Sequence, residues 1–218
     1  LQQSVCHLPR LIVDRRDEMD VTQAKQLVVR AWPQIVAETR EQLGGELHYQ
    51  AVAYHCLRQA GVPARQMGMN VKQWIDAPIS SLFQAWDQKK KEAFRGGFEP
   101  VPDIVLFKPE VAGNWQRRNA EATIANMLMA IEVKASERAN GRLSVAEIVR
   151  DIAKLAAHRE EIEHRGHAMT PVMMVIDVAS DARERMRAKD VDYCAARAAE
   201  QQVGWMYVSP DADACVIH

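Results

Sequence analysis

The chain has 218 residues, with 28 basic against 29 acidic side chains and a formal charge of -1. That balance excludes a uniformly basic nucleic-acid coat but leaves room for a local positive strip, because phosphate contacts are local. With 48% hydrophobic and 26% charged residues the chain can bury one ordinary globular core. No apolar run approaches the roughly 20 residues of a membrane span, and the N-terminus lacks a signal-peptide pattern. Cys6, Cys56, Cys194 and Cys215 form no CxxC pair. Free thiols in a reducing, cytoplasmic compartment are therefore expected, with two disulfides as the alternative.

In chain order, Leu11-Ile12-Val13 is too short to assign. Asp20 or Thr22 can cap a helix through Gln26, Leu27 and Val28. Pro33 marks a break or a fresh start, and Gly44-Gly45 ends the segment. Residues 1–45 thus read as an N-terminal helical extension, a packing or dimerisation element in preference to a nucleic-acid-contacting arm. Residues 46–60 predict the first core helix, stopped by Gly61, with Leu47, Ala51 and Tyr54 on a broad apolar face. An acid in its first turn, Glu46, is favourable there on electrostatic grounds alone. His48 and His55 share a face beside Cys56, but no second ligand cluster follows at zinc-finger spacing.

Residues 64–74 alternate as a strand, with Met67, Met69 and Val71 on one side. A turn at residues 76–80 leads to a helix over residues 79–94, with Lys89-Lys90-Lys91 as a solvated run. Gly96-Gly97 permits a sharp turn into Pro100. Residues 101–107 then form a strand entered through Pro102, a position where proline is tolerated. The segment 108–125 is too long for a tight hairpin and accommodates a short helix. Within it Trp115 beside Arg117 and Arg118 suits stacking and phosphate contact.

Residues 127–133 are nearly all apolar and read as a buried strand, interrupted only by Glu132 and Lys134 just at its end. A strand has a side-chain period of two, so these two charges share one face while Ile131 and Val133 point to the other. Seating a carboxylate and an ammonium against an apolar layer costs several kcal/mol each without a counter-charge. Asp103 supplies another charge if its strand pairs with this one. Two neighbouring carboxylates repel unless a proton or cation lies between them. Oxygen-only donors favour a hard cation, magnesium with manganese as its substitute.

After a polar stretch at residues 135–142, Ser144 and Glu147 form a capping box. They open a helix whose stripe is Ile148, Ile152, Leu155 and Ile162. Arg150 and Lys154 lie on another side, where Lys154 is a candidate phosphate contact. His158, His164 and His167 read as surface histidines. Residues 171–177 are a central strand covered on both faces, with Asp177 a turn former in preference to a ligand. Residues 180–200 are largely helical, interrupted near Asp190-Val191-Asp192, and residues 204–209 are a last strand stopped by Pro210.

Pro102-Asp103 followed by Glu132-Val133-Lys134 resembles the signature of the PD-(D/E)XK nuclease superfamily. The order helix, three strands, helix, strand over residues 46–178 is similar to the superfamily core. The resemblance implies an α/β, restriction-endonuclease-like fold, a central mixed sheet flanked by helices. Residues 1–45 would be its helical extension, and residues 46–218 a nuclease domain with a C-terminal helix–strand addition. It further implies magnesium-dependent endonucleolytic hydrolysis of phosphodiester bonds in DNA, with Asp103, Glu132 and Lys134 catalytic. Glu46 matches, in type and position, an acid that many members carry near the metal on the helix before the first strand. The implied ligands are Asp103, Glu132, Glu46 and the Val133 backbone carbonyl. DNA is the expected partner, and a homodimer would address both strands of a duplex. The chain has no P-loop, so no nucleotide cofactor is expected. Two alternatives stand: a non-catalytic nucleic-acid-binding or structural member of the same fold, and a metal-dependent phosphohydrolase of a small substrate.

Overall fold

The computed structural model describes residues 19–115 and 120–218. Helix α1 (Val21–Glu41) starts at Asp20, whose carboxylate accepts from the Gln23 amide at 2.8 Å while Gln23 Oε1 accepts from the Asp20 amide. This reciprocal capping box selects Asp20 over Thr22. The expected break at Pro33 does not occur: α1 runs straight through it. Proline forfeits one helix hydrogen bond, and burial of Trp32, Ile35 and Val36 beside it offsets that loss. Helix α2 (Glu46–Gln59) follows and ends before Gly61, whose φ of +112° is the left-handed geometry that favours glycine.

The strand expected over residues 64–74 shrinks to β1 (Met67–Met69). A 3-10 turn at Ala64–Gln66 precedes it, and Asn70, at φ +50°, leaves strand geometry after it. Strands β2 (Ile75–Asp76) and β3 (Gly97–Phe98) pair instead in a small antiparallel sheet of their own. Helix α3 (Ser81–Gln88) stops well short of residue 94, and a 3-10 turn takes Glu92–Phe94. Lys90 is not a simple solvated lysine. Its ammonium lies 5.7 Å and 5.4 Å from the Trp74 and Phe98 ring centroids and pairs with Asp87 at 3.1 Å.

The remaining elements are β4 (Ile104–Phe107), α4 (Ala120–Ala125), β5 (Met127–Ala135), α5 (Val145–His164), β6 (Thr170–Ile176), α6 (Ala188–Glu200), β7 (Gly204–Val208) and β8 (Asp213–Val216). Among the described residues the main sheet has six strands in the order β1-β4-β5-β6-β7-β8. The pairs β1/β4, β4/β5 and β7/β8 are antiparallel, and β5/β6 and β6/β7 are parallel. The architecture is thus a mixed central sheet flanked by helices, the α/β class expected. Helices α1 and α2 share one apolar layer with Ile104, Leu106, Ile131, Val133, Val172 and Met174. The segment expected to be an extension therefore contributes directly to the core. Helices α5 and α6 cover the opposite face, over Val105, Ala130, Met173, Val175 and Trp205. Among the described residues no helix is long and apolar enough to cross a membrane.

Three further expectations are corrected. His158 is not a surface histidine: it is buried in the α5 stripe, where burial, then Lys154 and Arg165, push its imidazole down to about 3. Asp177 is fully buried; its Oδ2 accepts from the Met186 amide at 2.8 Å and from the Tyr207 hydroxyl at 3.1 Å, pinning the following loop to the sheet. The interruption in residues 180–200 lies ahead of Asp190, because a 3-10 turn at Ala182–Glu184 precedes α6. Cys56, Cys194 and Cys215 are free thiols, and Cys6 lies outside the described residues.

Candidate active site

Strand β5 outruns its neighbour β4. Their register ends at Ile104↔Ile131, whereas β5 continues along β6 through Ala135↔Ile176. Backbone groups of β5 beyond Ile131 would therefore face a vacant ladder position on the β4 side. Asp103, the residue just ahead of β4, fills it: its Oδ2 accepts from the Val133 amide at 2.7 Å. Its own carbonyl accepts from the Asn70 amide at 2.9 Å, which ties the turn after β1 to the same point. Asp103 and the end of β5 are thus held together by backbone geometry.

Glu132 and Lys134 project from β5 on the side opposite Ile131, Val133 and Ala135, which belong to the α1–α2 layer. Two elements meet them. Helix α5 contributes Lys154, whose Nζ lies 2.6 Å from Glu132 Oε1, and Asp151, whose two oxygens lie 3.6 Å from the ammonium groups of Lys154 and Lys134. The first turn of α2 contributes Glu46, whose Oε2 is 3.1 Å from Lys134 Nζ. The result is an alternating row, Glu46–Lys134–Asp151–Lys154–Glu132, with Asp103 beside its inner end. Asp103, Glu132 and Asp151 are all buried.

The electrostatics follow from that burial. Desolvation pushes the Glu132 carboxyl up; Asp103 and Asp151 push the same way, and Lys154 opposes them. Desolvation also raises Asp103, against the Val133 amide bond, with Glu46 adding to the rise and Lys134 and Lys154 opposing it. For Lys134, burial works downward, but the carboxylates of Glu46 and Asp151 outweigh it and raise the ammonium. Four carboxylates against two ammonium groups leave two negative charges if all six are ionised.

A divalent cation would balance that fully ionised set, and the raised Glu132 and Asp103 carboxyls show that protons can balance part of it instead. Glu132 Oε2 is a buried oxygen without a hydrogen-bond partner among the described residues, a further mark of a position suited to a cation. As the side chains stand, no group of three or more acid, histidine or cysteine side chains is gathered in metal-binding geometry among the described residues. The Glu132 carboxylate is instead paired with the Lys154 ammonium. Asp103, Glu132 and Glu46 are oxygen donors of the type that suits a hard cation, with Lys154 occupying Glu132 Oε1.

Asp103, Glu132, Lys134 and Glu46 come together as one group. Lys154 joins them as the partner of Glu132, not as a separate outward-facing cation. Trp115 lies at the far end of β4, its ring stacked on Phe107 with centroids 5.6 Å apart; Arg117 and Arg118 lie outside the described residues. His48 packs edge-on to Tyr49, and His55 bonds Gln59, so neither reaches the site. Asp151 is the residue that sequence reasoning missed. It falls three residues after Ile148 and four before Leu155, inside the apolar stripe of α5. An acid on a buried helix stripe is the signal that could have found it. No protein-family model, curated protein or solved structure matches this chain.

Proposed function

We propose that the chain is a magnesium-dependent DNA endonuclease with a restriction-endonuclease-like core. The observation that carries this reading is the convergence of Asp103 and Glu132 at the paired ends of β4 and β5, with Lys134 next to them on the same strand. The order α2, β1, β4, β5, α5, β6, with β4/β5 antiparallel and β5/β6 parallel, supports the fold half of the reading.

In this reading Asp103, Glu132 and the Val133 carbonyl would hold the cation, with Glu46 as a further candidate donor. When bound, the cation supplies Lewis-acid neutralisation of charge at the phosphorus centre. Lys134 Nζ orients the attacking water or donates to a non-bridging phosphate oxygen. Glu46 and Asp151 fix the direction of that ammonium. Lys154 balances the charge of Glu132 from α5.

A specific observation favours a second reading. Glu46, Glu132 and Asp151 all have lysine partners, the state expected of a non-catalytic nucleic-acid-binding member whose acids serve only as structural counter-charges. Incubating the purified chain with supercoiled, linear and branched DNA, with and without magnesium, separates the two. Magnesium-dependent cleavage supports the nuclease; binding without cleavage across magnesium and manganese supports the second reading.

A further inference from the structure

Beside the Lys134–Glu46 pair opens a cleft of ≈ 240 Å³, walled by the loop after β5 and by the first turns of α5. Three arginines line it, Arg138, Arg142 and Arg150. Arg138 reaches Glu147 only at 3.9 Å, beyond hydrogen-bond length, and its side chain is 71% exposed. Arg142 spends Nε on the Arg185 carbonyl at 2.6 Å, an anchor that aims the rest of its guanidinium. Arg150 has no partner among the described residues.

The acids of the cleft are more fully engaged than these cations. Glu46 is paired with Lys134, and Glu137 Oε2 accepts from the Glu46 amide at 2.9 Å, at the positive end of α2. Glu137 and Glu147 are then left to face three guanidinium groups. The N-terminal turn of the 20-residue helix α5, with Ser144 at its cap, adds its own positive end to the same wall. The cleft is therefore positive at its outer end and continuous with the acid-rich site at its inner end. A planar guanidinium matches the oxygens of a phosphate, and a row of them beside a phosphodiester-cleaving site matches a strand's backbone.

We infer that Arg138, Arg142 and Arg150 form a subsite for backbone phosphates flanking the scissile one, so that this cleft holds the DNA strand in register over Lys134. This rests on the nuclease reading and adds a binding role to residues outside the acid–lysine row. Phosphate contacts of this kind govern affinity and its salt dependence and carry no sequence information.

The test is fluorescence anisotropy of a short labelled DNA duplex, in calcium so that it is held without turnover, across roughly 50–200 mM salt. The variants are Arg138→Ala, Arg150→Ala and the triple Arg138→Ala/Arg142→Ala/Arg150→Ala, with Arg197→Ala on α6 as the remote control. Each lost phosphate contact is expected to flatten the slope of log affinity against log salt by about 0.9. The triple variant should bind at least tenfold more weakly at low salt, and Arg197→Ala should match the parent. The single variants at Arg138 and Arg150 keep the question decidable if loss of the Arg142 anchor disturbs the loop. Parental affinity and slope in those variants, alongside a parent that binds and cleaves, would overturn the subsite and leave the nuclease intact. A parent that neither binds duplex nor cleaves plasmid would overturn both.

Discussion

At the scale of single residues, the site turns on Lys154. Its ammonium neutralises Glu132 through Oε1 at 2.6 Å, so it would compete for the charge of the carboxylate that the proposed cation needs. Lys154→Met is therefore expected to bind manganese at least tenfold more tightly, about 1.4 kcal/mol, as read by calorimetry. It should also gain more thermal stability from the ion than the parent does. Equal or weaker binding would make Lys154 a helper of the cation instead of its rival. Glu46 poses a different question, since it touches Lys134 in the structure. Glu46→Gln should keep α2 and bind DNA as the parent does, but cleave at least tenfold more slowly, roughly 1.4 kcal/mol of transition-state stabilisation. A parental rate across a magnesium titration would reduce Glu46 to an ordinary helix-start acid.

His158 carries the clearest pH dependence. Its imidazole is pushed down to about 3 by burial, whereas the unfolded chain takes up that proton near the ordinary histidine value of about 6.5. Between those values the unfolded chain holds a proton that the folded chain lacks, so stability falls as pH falls through the window. From pH 7 to pH 5 the loss attributable to His158 is about 2 kcal/mol. His158→Gln should abolish that increment, measured as the difference in urea-unfolding free energy at the two pH values. An unchanged pH dependence in the variant would show that His158 charges without unfolding.

At the scale of elements, long periodic stretches were legible in the sequence and short ones were not. The strand β5, the helix α5 and the strand β6 declare themselves through apolar runs and stripes that tertiary packing then reinforces. Glu132 and Lys134 could be singled out because charges on a buried strand are costly and therefore informative, and Asp103 through the Pro102-Asp103 motif that precedes β4. Strand β1 was overextended because alternation continues through Val71, although Asn70 takes positive φ and the chain leaves the sheet. Pro33 misled because a local breaking tendency yields to burial of its neighbours in α1. The partners on α5 were hidden because a spacing within one helix does not say which strand its polar residues will face. Helix α1 is more than an extension: Val28 and Ile35 are wholly buried, and Arg40 donates to the Ser209 carbonyl at 2.8 Å. A chain shortened to start at Gly45 is expected to lose cooperative thermal unfolding, because α2 and β5 would expose the apolar layer that α1 covers. A sharp, parent-like transition in the shortened chain would mean that α1 is dispensable to the core.

At the scale of the whole molecule, two apolar layers clamp one mixed sheet, and the charged row is gathered where β4 ends and β5 continues. Each half of the site depends on a different layer: Glu46 comes from α2 on one face, and Asp151 and Lys154 from α5 on the other. A two-fold dimer would bring two such sites to the two strands of a duplex, in keeping with the endonuclease reading. The most direct test is the cleavage rate of supercoiled plasmid by the parent and by Asp103→Ala, Glu132→Ala and Lys134→Ala, under matched magnesium, with folding checked by circular dichroism. Magnesium-dependent cleavage by the parent and its loss in all three folded variants is the expected result; cleavage at the parental rate by Glu132→Ala would contradict the assignment of this site.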